Sequence, residues 1–198
     1  MQFFAQNDNH SDSDAHTSGG NTNLNRLRAA VLGANDGIVS VASIVLGVAG
    51  ATSNKGTIFT AGLAGLVAGA LSMGVGEYVS VSTQRDTERA FIRHEAWELK
   101  TKPEQELSEL ADMYEAKGVT AKTARQVAKE LTAHDALAAH LDVELNIDPE
   151  ELTNPWQAAI ASLFSFTVGA LIPLISIILA ATHLRFAITF IAVTVALL

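Results

Sequence analysis

Two runs near the start of the chain, residues 29–52 and 57–83, are each long and apolar enough to cross a bilayer, and they constrain the fold more than any other feature. A spanning helix needs about 20 mainly apolar residues, because it rises about 1.5 Å per residue through a hydrocarbon core of about 30 Å. A third such run covers 156–181, with Pro173 inside it. A fourth begins near Leu184 and reaches Leu198; counted from Phe186 it has only 13 residues, too short to span, so a truncated C-terminus is expected. The expected fold class is an all-α membrane protein.

The charges lie almost entirely outside these runs. Net charge is −8 although mean hydropathy is +0.24. Of 21 Asp and Glu, Asp8, Asp12 and Asp14 lie in the polar N-terminal stretch and sixteen lie between Asp86 and Glu151. Only Asp36 and Glu77 sit inside apolar runs. Four regions follow: a disordered tail over 1–25, two transmembrane helices over 26–84, a water-soluble insert over 85–154, and a third transmembrane helix with the start of a fourth over 155–198. The chain has no cysteine, which excludes disulfides, zinc thiolate sites and cysteine nucleophiles. Its first 25 residues lack the apolar core of a signal peptide. Eleven basic residues flank the first span or lie in the insert, whereas the two short turns carry only Lys55 and Arg185. The positive-inside bias therefore places the N-terminus and insert in the cytoplasm, in the inner membrane if the cell is bacterial.

The insert reads as three helices. The first continues from the second span to Thr101 and stops before Pro103, which disfavours helix at the residue preceding it. The second starts at Pro103 and ends at Lys117, with Gly118 as its stop. The third runs from about Thr120 to Leu145.

A carboxylate within a bilayer is costly unless paired, hydrated or protonated, so Asp36 and Glu77 are candidates for function. Gly33 and Gly37 flank Asp36 as a small-xxx-small pair that admits a neighbouring helix. Asp36 lies barely two turns into its span, and hydration at the interface is the alternative. Met73 and Glu77 are four apart and share a helix face. Thioether and carboxylate together suit a borderline first-row ion better than Mg2+ or Ca2+, though a membrane methionine is usually packing. In the insert, Glu95 and Glu98 are i, i+3, as are Glu106 and Glu109, while His140 and Glu144 are i, i+4. Such pairs can pool ligands around a cation or form a solvated acidic face, and spacing does not decide between them.

Residues 24–51, LNRLRAAVLGANDGIVSVASIVLGVAGA, and 61–84, AGLAGLVAGALSMGVGEYVSVSTQ, resemble the first two transmembrane helices of the vacuolar iron transporter family. The insert (PEQELSELADMYEAKGVT, ARQVAKELTAHDALAAHLDVEL) and the third span (NPWQAAIASLFSFTVGALIPL) are similar to bacterial members. The resemblance implies a five-helix transporter, working as a homodimer, that exports cytosolic Fe2+ or Mn2+ in exchange for protons. It implies transport-path roles for Asp36, Met73 and Glu77, and metal-ligand roles in the cytosolic domain for Glu95, Glu98, Glu106, Glu109 and Glu144. His140 stands near a methionine position of plant members and is a further candidate ligand. Against that pattern, the 198 residues are expected to reach only into the fourth of five helices, and no ferritin-like domain like that of some bacterial relatives is expected within them.

No organic cofactor and no nucleic-acid partner is expected. Two other readings are a membrane-anchored metal sensor and a di-iron oxidase. The first leaves the intramembrane carboxylates without a purpose. The second calls for Glu-x-x-His pairs on two helices, which the insert lacks; its Glu130 and His134 are i, i+4. The chain is therefore read as a transporter and not as an enzyme.

Overall fold

A computed structural model describes residues 15–148 and 152–198, with side-chain surroundings from Leu27 onward. The described residues form helices joined by short turns, with no strand among them: α1 (Ala15–Ala51), α2 (Lys55–Thr101), α3 (Pro103–Ala116), α4 (Ala121–His140), a π-helical turn (Leu141–Leu145), α5 (Pro155–Leu179) and α6 (Arg185–Ala196). Helix begins at Ala15, so it covers residues 15–25 where a disordered tail is expected. Once a helix exists, each added residue gains a hydrogen bond for little further ordering, and polar residues can extend it. The first fourteen residues of the expected tail lie outside the described residues.

Leu27–Ala51, α2 and α5 are long and apolar enough to cross a membrane; α6 is apolar but shorter. Their outward faces carry large hydrophobic side chains such as Leu32, Val67, Leu71, Ile160 and Phe164. A surface of that kind is at rest in hydrocarbon and not in water.

The chain divides into two compact units, one comprising Met1–Glu77 with Trp156–Leu198 and the other Tyr78–Pro155. The first is centred on Phe166, whose ring lies against Gly69 of α2 and packs with Val41, Val45, Leu66, Ala70 and Leu174. Here α1 and α5 meet backbone to backbone. Gly37 sits on the Phe166 carbonyl and Gly169 sits on the backbone of Ala34, and at either position a Cβ would overlap main-chain atoms. Gly33 lies against Ser165 in the same seam. Small residues allow this approach, and without a hydrophobic force between helices in lipid, close packing is what holds them.

The ends of these helices are tied reciprocally. Lys55, at the start of α2, donates from Nζ to the Ile178 carbonyl at 2.7 Å, near the end of α5. Arg185, at the start of α6, donates from Nη2 to the carbonyls of Ala49 (3.1 Å) and Thr52 (3.2 Å) at the end of α1. Each cation satisfies C-terminal carbonyls and faces the negative end of a helix dipole. The two basic residues of the short turns are thus caps.

In the second unit, α3 packs on α4 through Leu110, Ala111 and Ala128, supported by Leu107, Tyr114 and Leu131. Pro103 opens α3, and Gly118 closes it with φ +97°, a left-handed value that a side chain would resist. The third insert helix departs from the continuous 120–145 element expected. Asp135 has non-helical angles (φ −157°, ψ 97°), and its Oδ1 accepts from the Ala138 N–H at 3.0 Å. It therefore acts as an N-cap, starting a new helical turn that ends at His140. The backbone then widens into the π-helical turn and stops at Asn146, which is left-handed with φ 50°.

The α1–α5 seam yields a test. Gly37→Ala or Gly169→Ala should lower the stability of the detergent-solubilised protein by about 1–3 kcal/mol, the usual cost of overpacking. Gly47→Ala, where a Cβ would meet nothing within 4 Å, should leave stability unchanged or raise it slightly. Thermal unfolding measured side by side checks this, and equal behaviour of the three variants would contradict the seam.

Candidate metal centre

Glu95 enters the centre from α2, His140 from the last residue of α4 and Glu144 from the π-helical turn. One ligand atom from each lies within 4.8 Å of the others. His140 Nδ1 is 3.0 Å from Glu95 Oε1 and 4.0 Å from Glu144 Oε2. The cap at Asp135 sets the direction of the turn that carries His140. The wide turn that follows, a feature common at functional sites, carries Glu144.

Burial makes the grouping unusual. His140 is fully buried and Glu95 is 4% exposed, while Glu144 lies at the exposed edge. The short Glu95–His140 contact is not a hydrogen bond, since Glu95 Oε1 and both ring nitrogens of His140 lack any hydrogen-bond partner. Buried polar atoms without partners are rare and costly. An imidazole nitrogen and a carboxylate oxygen that converge without bonding each other are placed as two ligands of one cation would be. Nitrogen with carboxylate oxygen suits first-row divalent ions such as Fe2+, Mn2+ or Zn2+.

The electrostatics bring in the other insert glutamates. Desolvation by burial pushes the Glu95 carboxyl from 4.5 up to about 7, helped by the charges of Glu144, Glu106, Glu98 and Glu109. Burial also raises Glu106, which is 4% exposed, aided by Glu109 and Glu98 and opposed by His140 and Lys102. Glu95 thus feels the charge of the other four glutamates singled out in the insert. The five are not equivalent, however. Only Glu95 and Glu144 join His140 in the ligand group. Glu98 is engaged elsewhere: Oε1 accepts from Lys102 Nζ at 3.1 Å, and Oε2 lies 3.3 Å from His94 Nε2. These contacts hold its carboxyl below the usual range. The sequence reading passed over His94 and Lys102, although both stand four residues from Glu98.

Asp36, Met73 and Glu77 belong to the other unit. Asp36 is exposed and accepts from Ser40 Oγ at 2.9 Å. Met73 is half-buried, and its methyl group lies 3.7 Å from where a Cβ on Gly33 would stand, so it faces α1. Glu77 is half-buried. Among the described residues, neither Asp36 nor Glu77 joins a group of three ligand-type side chains.

A profile of the VIT family matches residues 27–198. The chain is 48% identical over 149 residues to a vacuolar iron transporter of Acanthamoeba castellanii, covering 75% of this chain and 54% of that protein. It is 36% identical over 172 residues to vacuolar iron transporter homolog 2.1 of Arabidopsis thaliana, covering 86% and 63%. With vacuolar iron transporter homolog 2 of Oryza sativa it shares 37% identity over 150 residues, covering 76% and 57%. The chain spans between about half and two-thirds of the length of these relatives.

The raised Glu95 carboxyl predicts opposite pH dependences for folding and for metal binding. Its contribution to stability is fully present below the ordinary value of 4.5 and is lost as pH rises through about 7. Metal must displace that proton, so affinity should increase as pH rises through 7. Titrations of Mn2+ into the purified chain at pH 6 and pH 8 should show tighter binding at pH 8 and more proton release at pH 6. Glu95→Gln should weaken binding and flatten both trends. A wild-type affinity independent of pH across this window would contradict the assignment of Glu95 as a ligand.

Proposed function

Because this chain belongs to the VIT family, we propose that it carries divalent iron, and manganese as a close substitute, across a bilayer in exchange for protons. The observation that carries the reading is the Glu95–His140–Glu144 group, whose buried Glu95 and His140 atoms make no hydrogen bond, in a chain whose long helices are apolar enough to span. The names of the relatives from Acanthamoeba, Arabidopsis and rice point the same way.

In this proposal the N-terminus and the acidic unit face the cytoplasm, where most basic residues lie. A negative surface there raises the local concentration of cations. Glu95, His140 and Glu144 take the ion, assisted by Glu98, Glu106 and Glu109. The ion then passes to Asp36, Met73 and Glu77 between the spanning helices, where it has lost water and needs protein ligands. Proton uptake by the two carboxylates releases it on the far side and resets the path. The full bundle has five helices per subunit and assembles as a homodimer. An oxidase is disfavoured, because the insert lacks the paired Glu-x-x-His motifs of di-iron sites.

Uptake of Fe2+, Mn2+, Zn2+ and Ca2+ into proteoliposomes tests the reading: Fe2+ and Mn2+ should enter and Ca2+ should not. Asp36→Asn, which removes charge at constant size, should abolish flux while leaving the protein inserted. Replacing Glu95, Glu98, Glu106 and Glu109 together with Gln should raise the apparent KM more than it lowers the maximal rate. Glu77→Gln should mainly lower the maximal rate and flatten its dependence on the pH gradient. If the quadruple variant carries no metal even at saturation, the acidic unit is part of the path itself and the two-stage scheme is wrong.

A further inference from the structure

Glu98, one helical turn from Glu95 on α2, already has a cation of its own. Lys102 is the single residue between α2 and α3, with non-helical angles (φ −136°, ψ 46°) and Pro103 immediately after it. This corner places Lys102 four residues after Glu98 and four before Glu106, so two of the centre's carboxylates lie one helical turn away on either side. Its ammonium donates to Glu98 Oε1 at 3.1 Å and lies 5.5 Å over the Trp97 ring. His94, stacked on the same ring, lies 3.3 Å from the other Glu98 oxygen. Both oxygens of Glu98 are therefore occupied by neighbours, whereas Glu95 and His140 present buried ligand atoms that make no hydrogen bond.

We propose that Lys102 is the resident counter-ion of the acidic centre, holding Glu98 until a divalent cation takes that carboxylate in its place. The inference rests on reading Glu95, His140 and Glu144 as metal ligands, and it adds an exchange step to that reading. The Lys102 side chain is 43% exposed. An ion pair that wet is worth little, so a dication can displace it and the freed ammonium returns to water. The same device discriminates against Na+ and K+. A monovalent ion brings no more charge than the ammonium it must replace, and the ammonium is tethered beside the carboxylate at high effective concentration. Electrostatic coupling agrees with this placement: Lys102 favours the ionised form of Glu106 as well as that of Glu98.

Titration of the detergent-solubilised chain with Mn2+, with free Mn2+ read by electron paramagnetic resonance, tests the exchange. Lys102→Gln and Lys102→Met should each lower the Kd by about three-fold, the scale of an exposed ion pair. Lys102→Arg keeps the cation and should bind as wild type does. Lys100→Gln removes the same charge from the last turn of α2 and should change the Kd by less than either Lys102 variant. A merely structural role for Lys102 predicts weaker binding on its removal, the opposite sign. The inference is overturned if the Gln and Met variants bind no tighter than wild type, or if Lys100→Gln tightens binding as much. Wild-type protein that takes up no Mn2+ would instead remove the metal site on which the inference stands.

Discussion

Burying the Glu95 carboxylate among four other glutamates costs free energy that a positive charge has to offset, and much of the acidic unit is arranged around that requirement. The available partners are a proton, the His140 ring at 3.0 Å and a metal ion. Burial, with the charges of the four neighbouring glutamates, pushes the Glu95 carboxyl up to about 7, so a proton can fill that role near neutral pH. A divalent ion satisfies Glu95, His140 and Glu144 together, because it supplies two charges at one point and accepts several ligands. A centre stabilised by interchangeable cations is suited to taking up an ion and giving it away again.

The spanning part answers a different constraint. Lipid offers no hydrophobic force to press helices together, so they hold by shape and by satisfied polar ends. The Gly37–Phe166 and Gly169–Ala34 contacts bring α1 and α5 to backbone distance. Lys55 and Arg185 then tie the turn-side ends of this bundle, each capping a helix to which it does not belong. Those contacts fix where α1 and α5 run, and hence where Asp36 stands on α1 relative to the Met73 methyl that reaches Gly33.

Much of this was legible in the residues. Apolar runs of spanning length and the confinement of most carboxylates to one stretch foretold an all-helical chain with three long apolar helices. Gly33 and Gly37 announced a close helix neighbour, and Pro103 and Gly118 announced the ends of α3. The family followed from two long motifs around Asp36 and Glu77, and the profile match bears it out. What spacing could not convey was which glutamates converge. Glu95, Glu98, Glu106 and Glu109 look alike as i, i+3 pairs. The cap at Asp135 starts the turn that carries His140 to Glu95, whereas Glu98 turns to its local neighbour Lys102. Asp135 itself was hidden inside an otherwise helical pattern, because an aspartate in mid-helix and one capping a new turn look the same in sequence. Lys55 and Arg185 were read only as orientation signals, since their carbonyl partners lie more than 120 residues away.

X-ray absorption at the metal edge of the Mn2+-loaded, detergent-solubilised chain tests the central claim most directly, because it reads the ligands and not their consequences. The account predicts a first shell of oxygen and nitrogen with the outer-shell scattering of one imidazole, which His140→Gln removes while leaving the carboxylate oxygens. A shell of oxygen alone in the wild type, unchanged in His140→Gln, would contradict it. The acidic unit would then be a solvated surface that gathers cations without binding them at a defined centre.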